Sequence, residues 1–348
     1  MATVHSRRVR TGRLTTELLE SGPPDAPTLV LVHGNVSSSV FFADTMARLG
    51  DTLHCLAPDL RGFGGSDRLP VDARRGLADF ADDLHELLTE LGVYDGGRQI
   101  TLLGWSLGSG VAMQYLLDHP EGIAGLVLEA AMSPYGFGGT KDLAGTPCTP
   151  DFAGSGGGTA NAELVRLIAE GDRSGDSDAS PRRVLAAIYV APDCQLPDEL
   201  TDRLVDGMLA MATGPDFYPG DATPSPHWPG TAPGTRGVNN ALSPKYCDLS
   251  GLGSLPAGPE ILWIRGDRDQ MVSDTSLADL GTLGQLGVVP GWPGAEDFPP
   301  QPMVSQLRAV LDRYGRYREE VLAGCAHSPH LEQPVAFEKL IREFIGLN

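Results

Sequence analysis

The segment Gly104-Trp105-Ser106-Leu107-Gly108 constrains this chain more than any other. It ends a short apolar run, Gln99–Trp105, that reads as a buried strand, and it leads into Ser109–Leu117, which reads as a helix. A serine on so tight a strand–turn–helix connection takes up a strained backbone, and small flanking residues let the turn pass close to its neighbours. The hydroxyl is then lifted out of the sheet with a helix amino terminus behind it. A serine that only caps the helix is the plain alternative. The apolar strand before it and the small-residue helix after it favour a nucleophile.

The surrounding pattern supplies a fold for that turn. Up to Ala131 the chain alternates between strand-like and helix-like periods, as a mostly parallel sheet covered by helices requires. Val4–Thr11 and Leu14–Ser21 alternate polar and apolar residues like a half-buried hairpin. Thr28–His33, Leu53–Leu60 and Ile123–Ala131 read as strands, and Phe41–Leu49 and Leu77–Leu91 as helices. From Met132 glycine and proline become dense around three helices near Ala162–Glu170, Pro181–Val190 and Glu199–Ala212; Gly154–Thr159 reads as a flexible loop. The rhythm resumes with a strand at Glu260–Arg265, a short one at Glu320–Leu322 and a closing helix at Val335–Ile345. The expected organisation is an α/β core of residues 1–131 and 256–348, with 132–255 as an inserted cap. A separate second domain is the alternative, and the resumed rhythm argues against it.

A serine hydroxyl is a weak nucleophile and needs a base within hydrogen-bond reach. Of eight histidines, His327 is favoured, because it follows a strand-like segment and the turn Ala323–Ala326. His330 lies further into the same loop. His33 ends a strand and suits a structural role, and His227 lies within the cap. The base in turn needs an acid that fixes its tautomer. Asp269, at the end of strand EILWIR, is the leading candidate, with Asp267 and Glu129 as rivals. The order serine, acid, histidine along the chain is the one that this kind of nucleophile turn uses. The developing oxyanion needs preorganised donors: the backbone N–H of Leu107, and that of Asn35 in the turn His33-Gly34-Asn35-Val36.

Composition narrows the partners. The formal charge of −19 disfavours nucleic acid and anionic membrane surfaces. No apolar run is long enough to span a bilayer, and the basic opening residues precede no apolar stretch, so a cytoplasmic protein without a signal peptide is expected. Five scattered cysteines without a CxxC pair suggest reduced thiols and no metal site.

HGN at 33–35, DLRGFGGSD at 59–67, GWSLG at 104–108, RGDRD at 265–269 and AHSPHLEQP at 326–334 together resemble the α/β-hydrolase superfamily, most of all its lid-bearing esterase, lactonase and C–C hydrolase branches. The resemblance implies an eight-stranded sheet, a helical lid and no cofactor, and it supports Ser106, Asp269 and His327 in the catalytic roles. HGN is also similar to haloalkane dehalogenases, which use an aspartate nucleophile, as epoxide hydrolases do; Ser106 argues against both. The 58 residues from Asp269 to His327 exceed one helix and one strand. The excess includes the proline-rich Val288–Met303, expected on the surface or against the cap.

The expected activity is hydrolysis of an ester or lactone of a small to medium, largely apolar substrate. The aromatic wall is sought among Trp105, Tyr135, Phe137, Phe217 and Trp228. C–C bond hydrolysis, perhydrolysis and a non-catalytic ligand receptor are the alternatives on the same framework. The sequence leaves the oligomeric state open.

Overall fold

A computed structural model describes residues 1–347. The centre is one eight-stranded sheet: β1 (His5–Arg10), β2 (Thr15–Ser21), β3 (Thr28–Val32), β4 (His54–Pro58), β5 (Ile100–Trp105), β6 (Ile123–Glu129), β7 (Glu260–Gly266) and β8 (Tyr317–Leu322). Their spatial order is β1-β2-β4-β3-β5-β6-β7-β8. β2 runs against both of its neighbours, and every pairing from β4 to β8 is parallel. Every residue of β3, β4 and β5 is buried, which is why these strands read as unbroken apolar runs rather than as alternation. From β3 the chain steps to β4 on one side and then to β5 on the other. This reversal opens a crevice at the carboxyl ends of β3 and β5, the place where open α/β sheets hold ligands.

Helices α1 (Ala43–Leu49), α2 (Ala78–Glu90) and α3 (Leu107–Asp118) belong to the core. Residues 132–255, between the adjacent strands β6 and β7, carry α4 (Ala162–Glu170), α5 (Pro181–Val184) running on into a π-helical turn at Leu185–Tyr189, α6 (Asp198–Leu209) and α7 (Val238–Ala241). They also hold two small ribbons, Thr213–Gly214 with Tyr218–Pro219 and Ala222–Pro224 with Thr231–Pro233, which the glycine and proline density concealed. After β7 come α8 (Leu280–Gln285) and α9 (Met303–Tyr314), and after β8 come α10 (Pro329–Glu332) and α11 (Pro334–Ile345). Among the described residues no helix is long and apolar enough to cross a membrane.

One expectation needs correction. Gly154–Thr159 is not a loose loop: Gly154 to Gly157 are buried, Gly154 N–H donates to Thr231 O, Gly157 N–H to Asn240 Oδ1, and the Ser155 and Ser243 hydroxyls pair at 2.7 Å. Glycine serves here for close approach, since a β-carbon at Gly154 would lie 2.5 Å from the Phe298 ring. The stretch from Asp269 to His327 holds two helices, α8 and α9, before β8; in α9, Met303, Leu307, Val310, Leu311 and Tyr314 face the core at helical spacing. The proline-rich segment before it folds against 132–255. Phe298 is buried and meets the Trp228 ring edge-on at 4.8 Å, and Trp228 Nε1 donates to Pro290 O.

Candidate active site

The turn at the end of β5 depends on its glycines. A β-carbon at Gly104 would lie 2.1 Å from Gly108 O, and one at Gly108 would lie 2.1 Å from Val32 O. Only glycine lets β5, α3 and β3 approach so closely, and the approach forces Ser106 to φ 54°, ψ −118°. Such a conformation costs on the order of 1–3 kcal/mol in a residue with a β-carbon. Backbone bonds hold it there: Ser106 N–H donates to Glu129 O at 3.0 Å, and the Ser109 hydroxyl donates to Ser106 O at 2.5 Å. The Ser106 side chain is left half-exposed at the carboxyl edge of the sheet.

The turn after β3 lies against it. A β-carbon at Gly34 would sit 3.2 Å from Ser106 Cβ. His33 is fully buried; its Nε2 accepts from Leu60 N–H at 3.0 Å, so Nδ1 carries the proton and donates to Gly34 O at 2.8 Å. Burial holds its pKa below the ordinary imidazole value, which keeps it neutral. The Ser37 hydroxyl donates to the same carbonyl. Across a trans peptide the C=O and N–H point in opposite directions, so anchoring Gly34 O in the interior turns the Asn35 N–H away from it. Neither Asn35 N–H nor Leu107 N–H has an acceptor among the described residues. Further along, Asp59 caps Ser39 N–H with one oxygen and Gly65 N–H with the other, so the DLRGFGGSD segment serves as scaffold.

At the other side of the crevice, Asp269 and His327 are brought together. His327 Nδ1 and Asp269 Oδ2 are 2.8 Å apart, and both side chains are almost wholly buried. Asp269 Oδ1 accepts from Met271 N–H at 2.8 Å and Val272 N–H at 2.9 Å, so each carboxylate oxygen has a fixed task. The loop bearing His327 is drawn onto β7 at Gly266, where a β-carbon would lie 2.2 Å from both Cys325 O and Ala326 O. Asp267 accepts from Gly324 N–H and so closes the turn that precedes the histidine. Among the described residues, neither His327 Nε2 nor the Ser106 hydroxyl has a hydrogen-bond partner, and no hydrogen bond joins them.

Glu129, the other candidate acid, pairs with His330, the neighbouring histidine. Glu129 Oε1 accepts from His330 N–H at 2.9 Å and lies 2.8 Å from His330 Nδ1, with both side chains fully buried. Glu129 is therefore turned away from His327 and supports the loop from behind. Glu332, unremarked in the sequence, also holds this loop: its carboxylate accepts from Ala326, Ser328 and Ala191 N–H groups. A carboxylate five residues after the histidine is a signal that backbone N–H groups need an acceptor, but its reach to Ala191 depends on the fold.

Of the aromatic residues expected to face substrate, Trp105 is fully buried. Its Nε1 donates to His327 O at 2.7 Å and its ring stacks on Phe41 at 5.3 Å, so it packs behind the histidine rather than lining a wall. Trp228 is engaged with Phe298 and Pro290. Phe217 is half-buried near Gly62, and Tyr135 and Phe137 are half-buried just beyond β6. His227 is exposed. Tyr189 and Asn239 were not anticipated. The Tyr189 ring lies edge-on to His327 at 6.0 Å, and its hydroxyl donates to Asn35 O at 2.8 Å. Asn239 Oδ1 accepts from Asn35 Nδ2 at 3.0 Å.

Comparison with known proteins agrees with this fold. A family model described as alpha/beta hydrolase fold matches residues 27–152. An uncharacterized protein of Mycobacterium tuberculosis is 32% identical over 141 residues, covering 40% of this chain and 37% of its own. A 2-(acetamidomethylene)succinate hydrolase of Mesorhizobium japonicum is 34% identical over 122 residues, or 35% of this chain and 41% of its own. The chain thus spans less than half the length of these curated relatives. Solved structures are similar over nearly the whole chain: an esterase from Exiguobacterium antarcticum (TM-score 0.62, 18% identity, 98% of this chain and 100% of that one) and a putative aryl esterase from Burkholderia cenocepacia (TM-score 0.60, 18% identity, 98% of each). The sheet order, the turn at Ser106 and the matched region point the same way: the chain has the α/β-hydrolase fold.

Proposed function

We propose that this protein is a serine hydrolase that cleaves a carboxylic ester or lactone through an acyl-enzyme on Ser106. One observation carries the reading: a positive-φ serine at the head of α3 shares the carboxyl edge of the sheet with a buried imidazole whose Nδ1 is held by a carboxylate. The Asp269 bond places the Nδ1 proton and leaves Nε2 as the free base. In the reaction, Nε2 takes the Ser106 proton as Oγ attacks the carbonyl carbon. The oxyanion is received by the Asn35 and Leu107 N–H groups, each worth on the order of 3–4 kcal/mol of barrier. The imidazolium then returns the proton to the leaving alcohol. Water repeats the sequence on the acyl group and regenerates the serine.

Residues 132–255 act as a cap over this crevice. They leave the core from β6, next to β5, and Tyr189 and Asn239 reach the turn after β3. Tyr135 and Phe137 are candidates for an apolar wall, where buried surface selects substrate at roughly 25 cal/mol per Å². A similar carboxylesterase of Bacillus subtilis, 32% identical over 106 residues, supports an ester substrate. Turnover of short p-nitrophenyl esters, simple lactones and aryl diketones by the purified protein tests the reading. Ester or lactone hydrolysis is expected; turnover of the diketone alone would assign C–C cleavage, and binding without turnover a receptor.

A further inference from the structure

We propose that Tyr189 and Asn239, both carried by the 132–255 segment, are positioning residues that hold the oxyanion turn of the core in its working shape; this rests on the hydrolase reading above. The turn is under strain. Val36 has φ 47°, in the left-handed region that a β-branched residue rarely enters. A conformation of this kind persists only where its surroundings over-determine it. From the core side, His33 and Ser37 fix Gly34 O. The next peptide is fixed differently. Its carbonyl, Asn35 O, receives the Tyr189 hydroxyl at 2.8 Å, with Val36 O 3.3 Å from the same hydroxyl. Its N–H, that of Val36, donates to Asn35 Oδ1 at 3.0 Å. That side-chain amide is in turn held through Nδ2 by Asn239 Oδ1 at 3.0 Å.

On the peptide that follows the proposed donor, the carbonyl is therefore held directly by Tyr189, and the N–H by the Asn35 side chain that Asn239 fixes in turn. Tyr189 is buried and lies beside Trp105 and His327, 5.8 and 6.0 Å away between ring centroids, so its hydroxyl is aimed by packing. With these two holds removed, Val36 relaxes towards negative φ and the Asn35 N–H swings with it. The segment that covers the crevice thus also completes the oxyanion site, so a protein whose cap is displaced has its serine and base but a slack donor.

Tyr189→Phe removes one hydroxyl and keeps the ring, and Asn239→Ala releases the Asn35 amide. Tyr246→Phe is the control, since it deletes a like hydroxyl-to-carbonyl bond (to Gly234 O, 2.9 Å) elsewhere in the same segment. Removing an oxyanion donor outright costs 10²–10³ in kcat. Slackening it is expected to lower kcat on p-nitrophenyl acetate about tenfold in each variant, with KM changed less than about twofold. Affinity for an aryl trifluoromethyl ketone, which builds the oxyanion on the serine, should fall in parallel with kcat/KM. Unchanged kcat and ketone affinity in both variants, or a rise in KM alone, overturns the proposal. If the wild-type protein hydrolyses no ester, the hydrolase reading fails separately. The positioning claim is then read from the Asn35 and Val36 amide resonances, which should shift or broaden in Tyr189→Phe and Asn239→Ala but not in Tyr246→Phe. Unmoved resonances contradict it.

Discussion

Asp269→Asn and Glu129→Gln are chemically the same change made on two buried carboxylate–histidine pairs, and the structure predicts opposite outcomes. In Asp269→Asn the position of Oδ1 accepts two backbone N–H groups, from Met271 and Val272. The amide oxygen must therefore occupy that side, which points the NH2 group at His327 Nδ1. Nδ1 becomes an acceptor, the ring proton moves to Nε2, and the nitrogen that should take the Ser106 proton already holds one. The analogous substitution in trypsin, a known reference case, costs about 10⁴ in kcat. A loss of roughly 10³–10⁴ in kcat/KM is expected here, or about 4–5.5 kcal/mol of transition-state stabilisation. Glu129→Gln leaves His327 and Asp269 untouched. The amide oxygen can still accept from His330 N–H, and the effect on kcat/KM should stay within about tenfold. Steady-state hydrolysis of p-nitrophenyl acetate, with thermal melts to confirm folding, separates the two. If Glu129→Gln proves the crippling change while Asp269→Asn keeps near-normal activity, the acid has been assigned wrongly.

Three further outcomes follow from particular contacts. Asp279 is buried, and burial pushes its carboxyl up to about 6 from an ordinary 3.8. A raised folded-state pKa gives stability that is present below the unfolded value and lost as pH rises through about 6. Asp279→Asn should therefore stabilise the protein near pH 8 by on the order of 2–3 kcal/mol, read as a higher Tm, and change it little near pH 4; an equal gain at both pH values refutes the reasoning. Glu332→Ala strips the acceptor from three backbone N–H groups and should cost roughly 2–4 kcal/mol in urea unfolding together with a fall in kcat, and an unchanged midpoint would show the loop is held otherwise. Phe298→Ala removes a buried ring that meets Trp228 and should cost about 3–5 kcal/mol; exchange-protected amides lost only around 288–303 would mark local undocking instead.

The parts of this protein that were legible in its sequence are those written in local chemistry. Central strands buried on both faces read as TLVLV and ITLLGW because no residue in them meets water. The turn at Ser106 was legible because two backbones can approach as they do only at glycine. Asp269 and His327 could be placed at strand ends but not joined, because their meeting depends on β7 and β8 being neighbours. Glu129 and His330 stood as rivals since nothing local says that a carboxylate and an imidazole 201 positions apart pair with each other. Tyr189 and Asn239 were invisible for the same reason, each being ordinary in its own helix and informative only against Asn35. Helix α9 was legible in principle from the spacing of its apolar residues and was masked by the prolines before it.

The central claim is that Ser106 is an activated nucleophile, and covalent trapping tests it most directly. The purified protein is treated with a fluorophosphonate, its intact mass is measured, and the modified peptide is mapped. The account predicts one phosphonyl adduct per chain, located on Ser106, absent in Ser106→Ala, and formed much more slowly in His327→Ala. A chain that stays unmodified while correctly folded, or an adduct on another residue, would contradict it.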